Sequence, residues 1–296
     1  MKPDYKIGLY GMGGWSQLFF FIFLFFSGFM LSGLITISAL NIEAIGQSAG
    51  ATRMAMVIQS VCLFLLPSLA FAYLCFQQTK DFLQSGIDKR VTLILLAVCI
   101  IIFIQPFINC IGYYNQQIIL PDSMQDIEAW MKQKEESSAN LIEVIFADRS
   151  IVSLLLNIIV IAIIAGVVEE LFFRGCLQQI VQKIVINKHI AIWITAILFS
   201  AFHFQFYGFV PRLLLGALLG YFYVWSGNIW TPIIAHIFHN AINVLIMYFY
   251  YDIPDVDRIS YFSLQNNPML IISSFVLTGL LIFVYIKKAS GLKFQN

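Results

Sequence analysis

The sequence predicts an all-α, polytopic membrane protein, and three observations carry that reading. Of 296 residues, 60% are hydrophobic and only 11% are charged, with a mean hydropathy of +0.84. The apolar residues gather into eight runs, most near the roughly 20 residues that cross a ~30 Å hydrocarbon core as a helix. No segment between the runs is patterned as a soluble domain, so residues 1–296 read as a single transmembrane domain.

The runs are Gln17–Leu40, Met54–Phe76, Val91–Ile111 with Pro106 as a kink, a fourth from Ile151 past Ile180, Ile190–Phe204, Val210–Trp225, Ile229–Tyr250 and Met269–Ile286. The fifth and sixth are short. The first is about twice a signal-peptide core and lacks an A-x-A-like end, so it is expected to stay as an anchor. Trp15, Trp225, Trp230 and the Tyr248–Tyr251 cluster fall near run ends, as interfacial aromatic belts do.

Orientation follows from Lys and Arg in the connections. With the N-terminus inside, the inner segments hold Lys2, Lys6, Lys80, Lys89, Arg90, Lys183, Lys188, Lys287, Lys288 and Lys293. The outer segments hold Arg53, Lys132, Lys134, Arg149, Arg212 and Arg258. Both termini are therefore expected in the cytoplasm, with the protein in a plasma membrane. The longest connection, Tyr113–Ser150, repeats Met124, Ile127, Trp130 and Met131 at helical spacing, which predicts a short amphipathic surface helix or a lid.

The net charge of +1 argues against a nucleic-acid partner. The five cysteines, Cys62, Cys75, Cys99, Cys110 and Cys176, form no CxxC or Cys/His cluster and read as small buried hydrophobes. Gly216-Ala-Leu-Leu-Gly220 has the spacing of close helix approach, within the chain or in a homodimer.

The chemistry concentrates in Gly166-Val-Val-Glu-Glu-Leu-Phe-Phe-Arg-Gly-Cys176, where three ionisable residues interrupt the fourth run. Such residues at bilayer depth are costly and mark functional sites. Glu170 and Arg174 are four apart and pair on one helical face, whereas Glu169 points about a quarter turn away. Later runs add Phe199 and His203, then His236, His239 and Asn240. His236 and Asn240 share a face. An imidazole and an amide can donate to a developing negative charge. A carboxylate and a second imidazole can hold and deprotonate a water. That set suits hydrolysis without a serine or cysteine nucleophile. Glu169, His203 and His236 are also candidate ligands for Zn2+, which would acidify a bound water directly.

Glu169-Glu170-x-x-x-Arg174, Phe199-x-x-x-His203 and His236-x-x-x-Asn240, in that order, resemble the three-motif signature of the CPBP family. These are the CAAX-type intramembrane endopeptidases and their bacteriocin-processing and self-immunity relatives. The resemblance covers about residues 151–250. It implies an eight-helix membrane fold and hydrolysis of a peptide bond in a peptide or protein substrate. It implies that Glu169 and His203 activate water and that His236 and Asn240 stabilise the oxyanion. Glu170 and Arg174 look like support, and His239 lies outside the motif. Metal-dependent and glutamate-dependent mechanisms both remain open.

Two other classes fit the residues: a non-proteolytic scaffold, immunity or partner-binding protein, and a transporter or proton relay. The latter lacks an inverted repeat. No HExxH or GxGD motif points to another intramembrane protease type. Hydropathy places Glu169 mid-helix, His236 early in its run and His203 toward the outside. The motifs then meet only if helices are tilted or broken around a cavity, expected to open toward the cytoplasm.

Overall fold

The computed structural model describes residues 11–40, 42–75, 91–250 and 264–293. Among these residues every regular element is helical. The helices are α1 Gly14–Ala39, α2 Ala49–Cys75, α3 Val91–Gln116, α4 Gln125–Phe146, α5 Ile151–Val185, α6 Lys188–Ala201, α7 Phe209–Ser226, α8 Trp230–Phe249 and α9 Pro268–Lys293. Phe76, Lys2, Lys6, Lys80, Lys89, Arg90, Tyr251 and Arg258 lie outside the described residues.

All eight apolar runs form helices, and among the described residues seven helices are long and apolar enough to cross a membrane. The fifth run is the exception. It forms α6, whose 14 residues extend about 21 Å at the helical rise, short of a ~30 Å core. The residues after Ala201 stay apolar but turn instead of continuing, and Phe204 adopts a left-handed φ of 52°. Ser200 Oγ donates to the Phe209 carbonyl at 2.7 Å and closes this turn onto the start of α7.

The short helix removes the depth conflict between His203 and Glu169. Helices α5 and α6 form an antiparallel hairpin about the turn at Ile186 and Asn187. Glu169 precedes that turn by about as many residues as His203 follows it, so at equal rise both sit at one level. Run-end hydropathy had separated them because an apolar segment says nothing about where a half-depth helix stops.

Helix α5 is the centre. It packs against α8 and α6, and its second half packs against α1 and α2; α3 packs against α7, α8 and α9. Its Phe172 and Phe173 are 2% and 1% exposed and join rings from three other helices. Phe172 lies 4.7 Å from Phe21 and 5.1 Å from Phe64, and Phe173 lies 5.1 Å from Phe199. Lipid is as apolar as these side chains, so helix association here relies on close packing and polar contacts. Gly166 fits against Ile237, where an added Cβ would sit 3.2 Å from the Ile237 amide nitrogen. Gly216 and Gly220 are both consumed within the chain, against Phe199 and Ala196 and against Gln178 and Ile192. Outward faces carry exposed Phe19, Phe23, Phe26, Leu34, Phe275 and Phe283, a surface that suits lipid and not water. The chain is an integral membrane protein.

Helix α4 is the amphipathic surface helix, and at 22 residues it is longer than its spacing implied. Trp130 packs on Phe206 at 5.1 Å, and its far end buries Ile145 and Phe146. Two arginines assigned to outer connections prove to lie inside helices. Arg53, in α2, donates to Asn157 Oδ1 at 2.8 Å, the Ile145 carbonyl at 3.1 Å and Ser153 Oγ. Arg212 lies in the first turn of α7.

Candidate active site

The fourth apolar run is not a uniform α-helix. It widens to π-helix at Ile158–Ile164 and again at Leu171–Leu177. Such π segments occur preferentially at functional sites, because they redirect side chains and free backbone groups. Here the first contains Ile161, whose carbonyl accepts from Asn240 Nδ2 at 3.1 Å. The second contains Arg174 and is buried throughout.

Glu170 and Arg174 pair as their spacing requires, with Nη1 donating to Oε1 at 2.6 Å and both side chains essentially unexposed. Arg174 Nη2 donates to the Gly216 carbonyl at 2.7 Å. Its guanidinium carbon lies 4.7 Å from the centre of the Phe199 ring, a cation–π geometry.

Glu170 does more than brace the bundle. Its Oε1 also accepts from His236 Nδ1 at 2.8 Å, which fixes that ring's orientation and turns Nε2 the other way. Nε2 then faces Glu169 Oε2 at 3.9 Å, too far for a direct hydrogen bond. Glu169 Oε2 is itself buried with no hydrogen-bond partner among the described residues, although the side chain keeps 16% exposure. His236 is thus bracketed by the two adjacent carboxylates, one bonded and one open.

His203 follows the end of α6. Its Nδ1 lies 2.8 Å from the Phe199 carbonyl. A carbonyl only accepts, so Nδ1 carries the hydrogen and Nε2 keeps its lone pair. Phe199 is the hub of the arrangement, with ring centroids 5.1 Å from His203 and 5.7 Å from His236. Arg174, His203 and His236 thus lie around the Phe199 ring, and Glu170 and Glu169 join the group through His236. Asn240 lies one turn beyond His236 on α8, anchored to α5 by one of its two amide hydrogens.

Residues outside the motifs also take part. His239 lies between Gln105 Nε2, 2.9 Å from Nδ1, and Asn243 Nδ2, 3.1 Å from Nε2, so it ties α3 to α8. Arg212 donates to Gln205 O at 3.1 Å and to Gln205 Oε1 at 2.9 Å, holding the loop that carries His203. Gln105 and Arg212 are polar residues inside apolar runs, which the sequence shows, but their partners are not legible there.

Among the described residues, no three His, Cys, Asp or Glu side chains are grouped as a metal ion requires. Glu169, His203 and His236 therefore do not form a ready ligand set.

Residues 151–242 match the family model described as Rce1-like, type II CAAX prenyl endopeptidase. Over 129 residues the chain is 29% identical to the Bacillus subtilis (strain 168) protein named uncharacterized protein YpbD, covering 42% of this chain and 60% of that one. The similarity thus spans less than two thirds of that relative's length. No solved structure matches the chain. Every motif residue from Glu169 to Asn240 lies within residues 151–242, the region in which the chain is similar to the Rce1-like, or CPBP, family.

Proposed function

We propose that this protein is an intramembrane endopeptidase of the CAAX-protease type, hydrolysing a peptide bond in a membrane-associated or peptide substrate. The family match supports protease activity of this general kind. The observation that carries the residue-level reading is the asymmetry of the two carboxylates. Glu170 is committed to Arg174 and His236, whereas Glu169 presents an unpartnered oxygen opposite His236 Nε2.

In this reading Glu169 accepts a proton from water, and the Nε2 lone pair of His203 aligns the water through its second hydrogen. The water oxygen adds to the scissile carbonyl carbon. The resulting oxyanion takes hydrogen bonds from Nε2–H of His236 as the imidazolium, whose Nδ1–H stays on Glu170, and from the second amide hydrogen of Asn240. Glu169 then returns its proton to the amine nitrogen as the C–N bond breaks. Positioned proton transfer contributes about 10²–10⁴-fold, and oxyanion donors contribute on a similar scale.

The test is cleavage of a peptide library by the purified, reconstituted chain in H2(18)O, read by mass spectrometry. A new carboxyl terminus carrying one 18O, lost in Glu169→Gln and in His203→Ala, is the expected result. Wild-type protein that folds and inserts but yields no product would sink the protease reading in favour of a binding or immunity role. Products that persist in both variants would sink the residue assignment. Metal content, measured on the same preparations, decides whether zinc accompanies the site.

A further inference from the structure

A second site lies at the opposite end of α5 from its first turns, and it has the character of an anion receptor. A cavity of about 590 Å³ is lined by Gln179, Gln182, Lys183 and Ile186 from α5 and its terminal turn, and by Tyr223 and Val224 from α7. Its polar lining is rich in donors and contains no carboxylate. Lys183 Nζ gives one hydrogen to Gln17 Oε1 at 2.9 Å and has two more. Among the described residues, no acid pairs with it. The Tyr223 hydroxyl accepts from Gln179 Nε2 at 2.8 Å, so its own hydrogen is left to point elsewhere. Outside the lining, Gln17 Nε2 is buried with no acceptor among the described residues. Tyr223 is buried, whereas Lys183 is exposed, so an anion entering the cavity meets the ammonium at its mouth and the phenol hydrogen deeper in.

The depth of the cavity indicates what that ligand is. Helix α5 has 35 residues, about 52 Å at the helical rise, so its ends extend beyond a ~30 Å core. The cavity belongs to its last turns, next to the hairpin residues Lys188 and His189. His189 Nδ1 lies 3.1 Å from the Tyr221 hydroxyl, and Tyr221 stacks on Trp225 at 4.9 Å. Amphipathic aromatics and cations at one level mark the headgroup region. Ile186 and Val224 add apolar walls suited to the first acyl methylenes of a lipid.

We propose that this cavity binds an anionic phosphate group at the membrane interface, held by Lys183 and Tyr223. The proposal is independent of the proteolytic reading. The full chain in detergent would be titrated with phosphatidylglycerol, phosphatidylcholine and inorganic phosphate, using native mass spectrometry for the lipids and thermal unfolding for phosphate. Wild-type protein should retain phosphatidylglycerol over phosphatidylcholine. Lys183→Gln should weaken it about tenfold, the scale of one charge-assisted hydrogen bond, and Lys183→Arg should keep it. Phosphatidylglycerol retention without a phosphate-induced thermal shift identifies a lipid as the source. A phosphate shift lost in Lys183→Gln identifies free phosphate. Equal binding of both lipids by wild type and a Lys183→Gln variant with unchanged unfolding temperature, with no phosphate shift, overturns the proposal.

Discussion

Glu170 and His236 share a hydrogen bond, Oε1 accepting from Nδ1 at 2.8 Å, and the same oxygen accepts from Arg174 Nη1 at 2.6 Å. One carboxylate oxygen therefore joins α5 to α8 and neutralises a guanidinium that is itself fully buried. The neighbouring carboxylate of Glu169 has no such duty. The two acids should fail differently when removed. Glu170→Ala leaves Arg174 as a buried uncompensated charge, which costs about 3–5 kcal/mol, and it should lower the thermal unfolding temperature sharply. Glu169→Ala should leave unfolding near wild type while abolishing cleavage. Equal loss of stability in both variants would contradict this division.

Gly166 precedes Glu169 and Glu170 by about one turn, and it faces Ile237, the neighbour of His236. A Cβ there would sit 2.9 Å from Ile237 Cγ1 and 3.3 Å from its Cα. Backbone atoms cannot rotate aside, so Gly166→Ala should push α8 away from α5 and lengthen the Glu169–His236 separation. Overpacking of this kind costs about 1–3 kcal/mol, and a displacement of ~1 Å at a reacting centre costs about 10²-fold in rate. The expected outcome is a fall in kcat with the chemical groups intact. Unchanged kcat would show that the site tolerates the shift.

The same residues show how far the sequence reaches. The Glu170–Arg174 pair and the divergence of Glu169 follow from helical periodicity alone, because both partners share one helix. His236 on Glu170 does not, since that contact joins residues 66 apart in the chain and depends on how α5 and α8 cross. Hydropathy places His203 too far outward for a related reason. Leu198, Phe199, Phe202 and Phe204 keep the segment apolar to its end, so hydropathy extends a helix that stops at Ala201. Its stop is set by the Ser200–Phe209 hydrogen bond and the left-handed Phe204. The amphipathic period of α4 was legible. Its packing on Phe206 was not, because a surface stripe does not name what it covers.

That packing gives α4 a pH response. Glu135 Oε2 is buried with no hydrogen-bond partner among the described residues. Desolvation raises the carboxyl above its ordinary range, against the opposing pull of Arg212 and the Tyr207 backbone. The folded protein then holds this proton more tightly than the unfolded chain. The contribution of Glu135 to stability is greatest at low pH and declines as pH rises from about 4.3, the ordinary glutamate value, through the raised folded value. Glu135→Gln should flatten that part of the profile. Unfolding temperatures measured across mildly acidic pH would check this, and identical slopes in both proteins would refute it.

Helix α5 ends at Ile186 with φ 62°, a left-handed conformation. Its amide donates to the Gln182 carbonyl at 2.9 Å, as a C-terminal cap requires. Glycine normally takes such a position, because a Cβ there meets the following carbonyl oxygen at a cost of about 1–2 kcal/mol. A β-branched residue is worse placed still. The side chain is 86% exposed, so little packing is lost on removing it. Ile186→Gly should therefore raise the unfolding temperature, by an amount worth about 1 kcal/mol once the glycine's entropy in the unfolded chain is offset. Helix α7 supplies the converse case. Gly227 caps it at φ 58°, and Gly227→Ala should lose stability on the same scale. Opposite signs in the two variants would establish the left-handed cap as the cause; a loss in Ile186→Gly would mean that the isoleucine side chain contributes more by packing than its backbone costs.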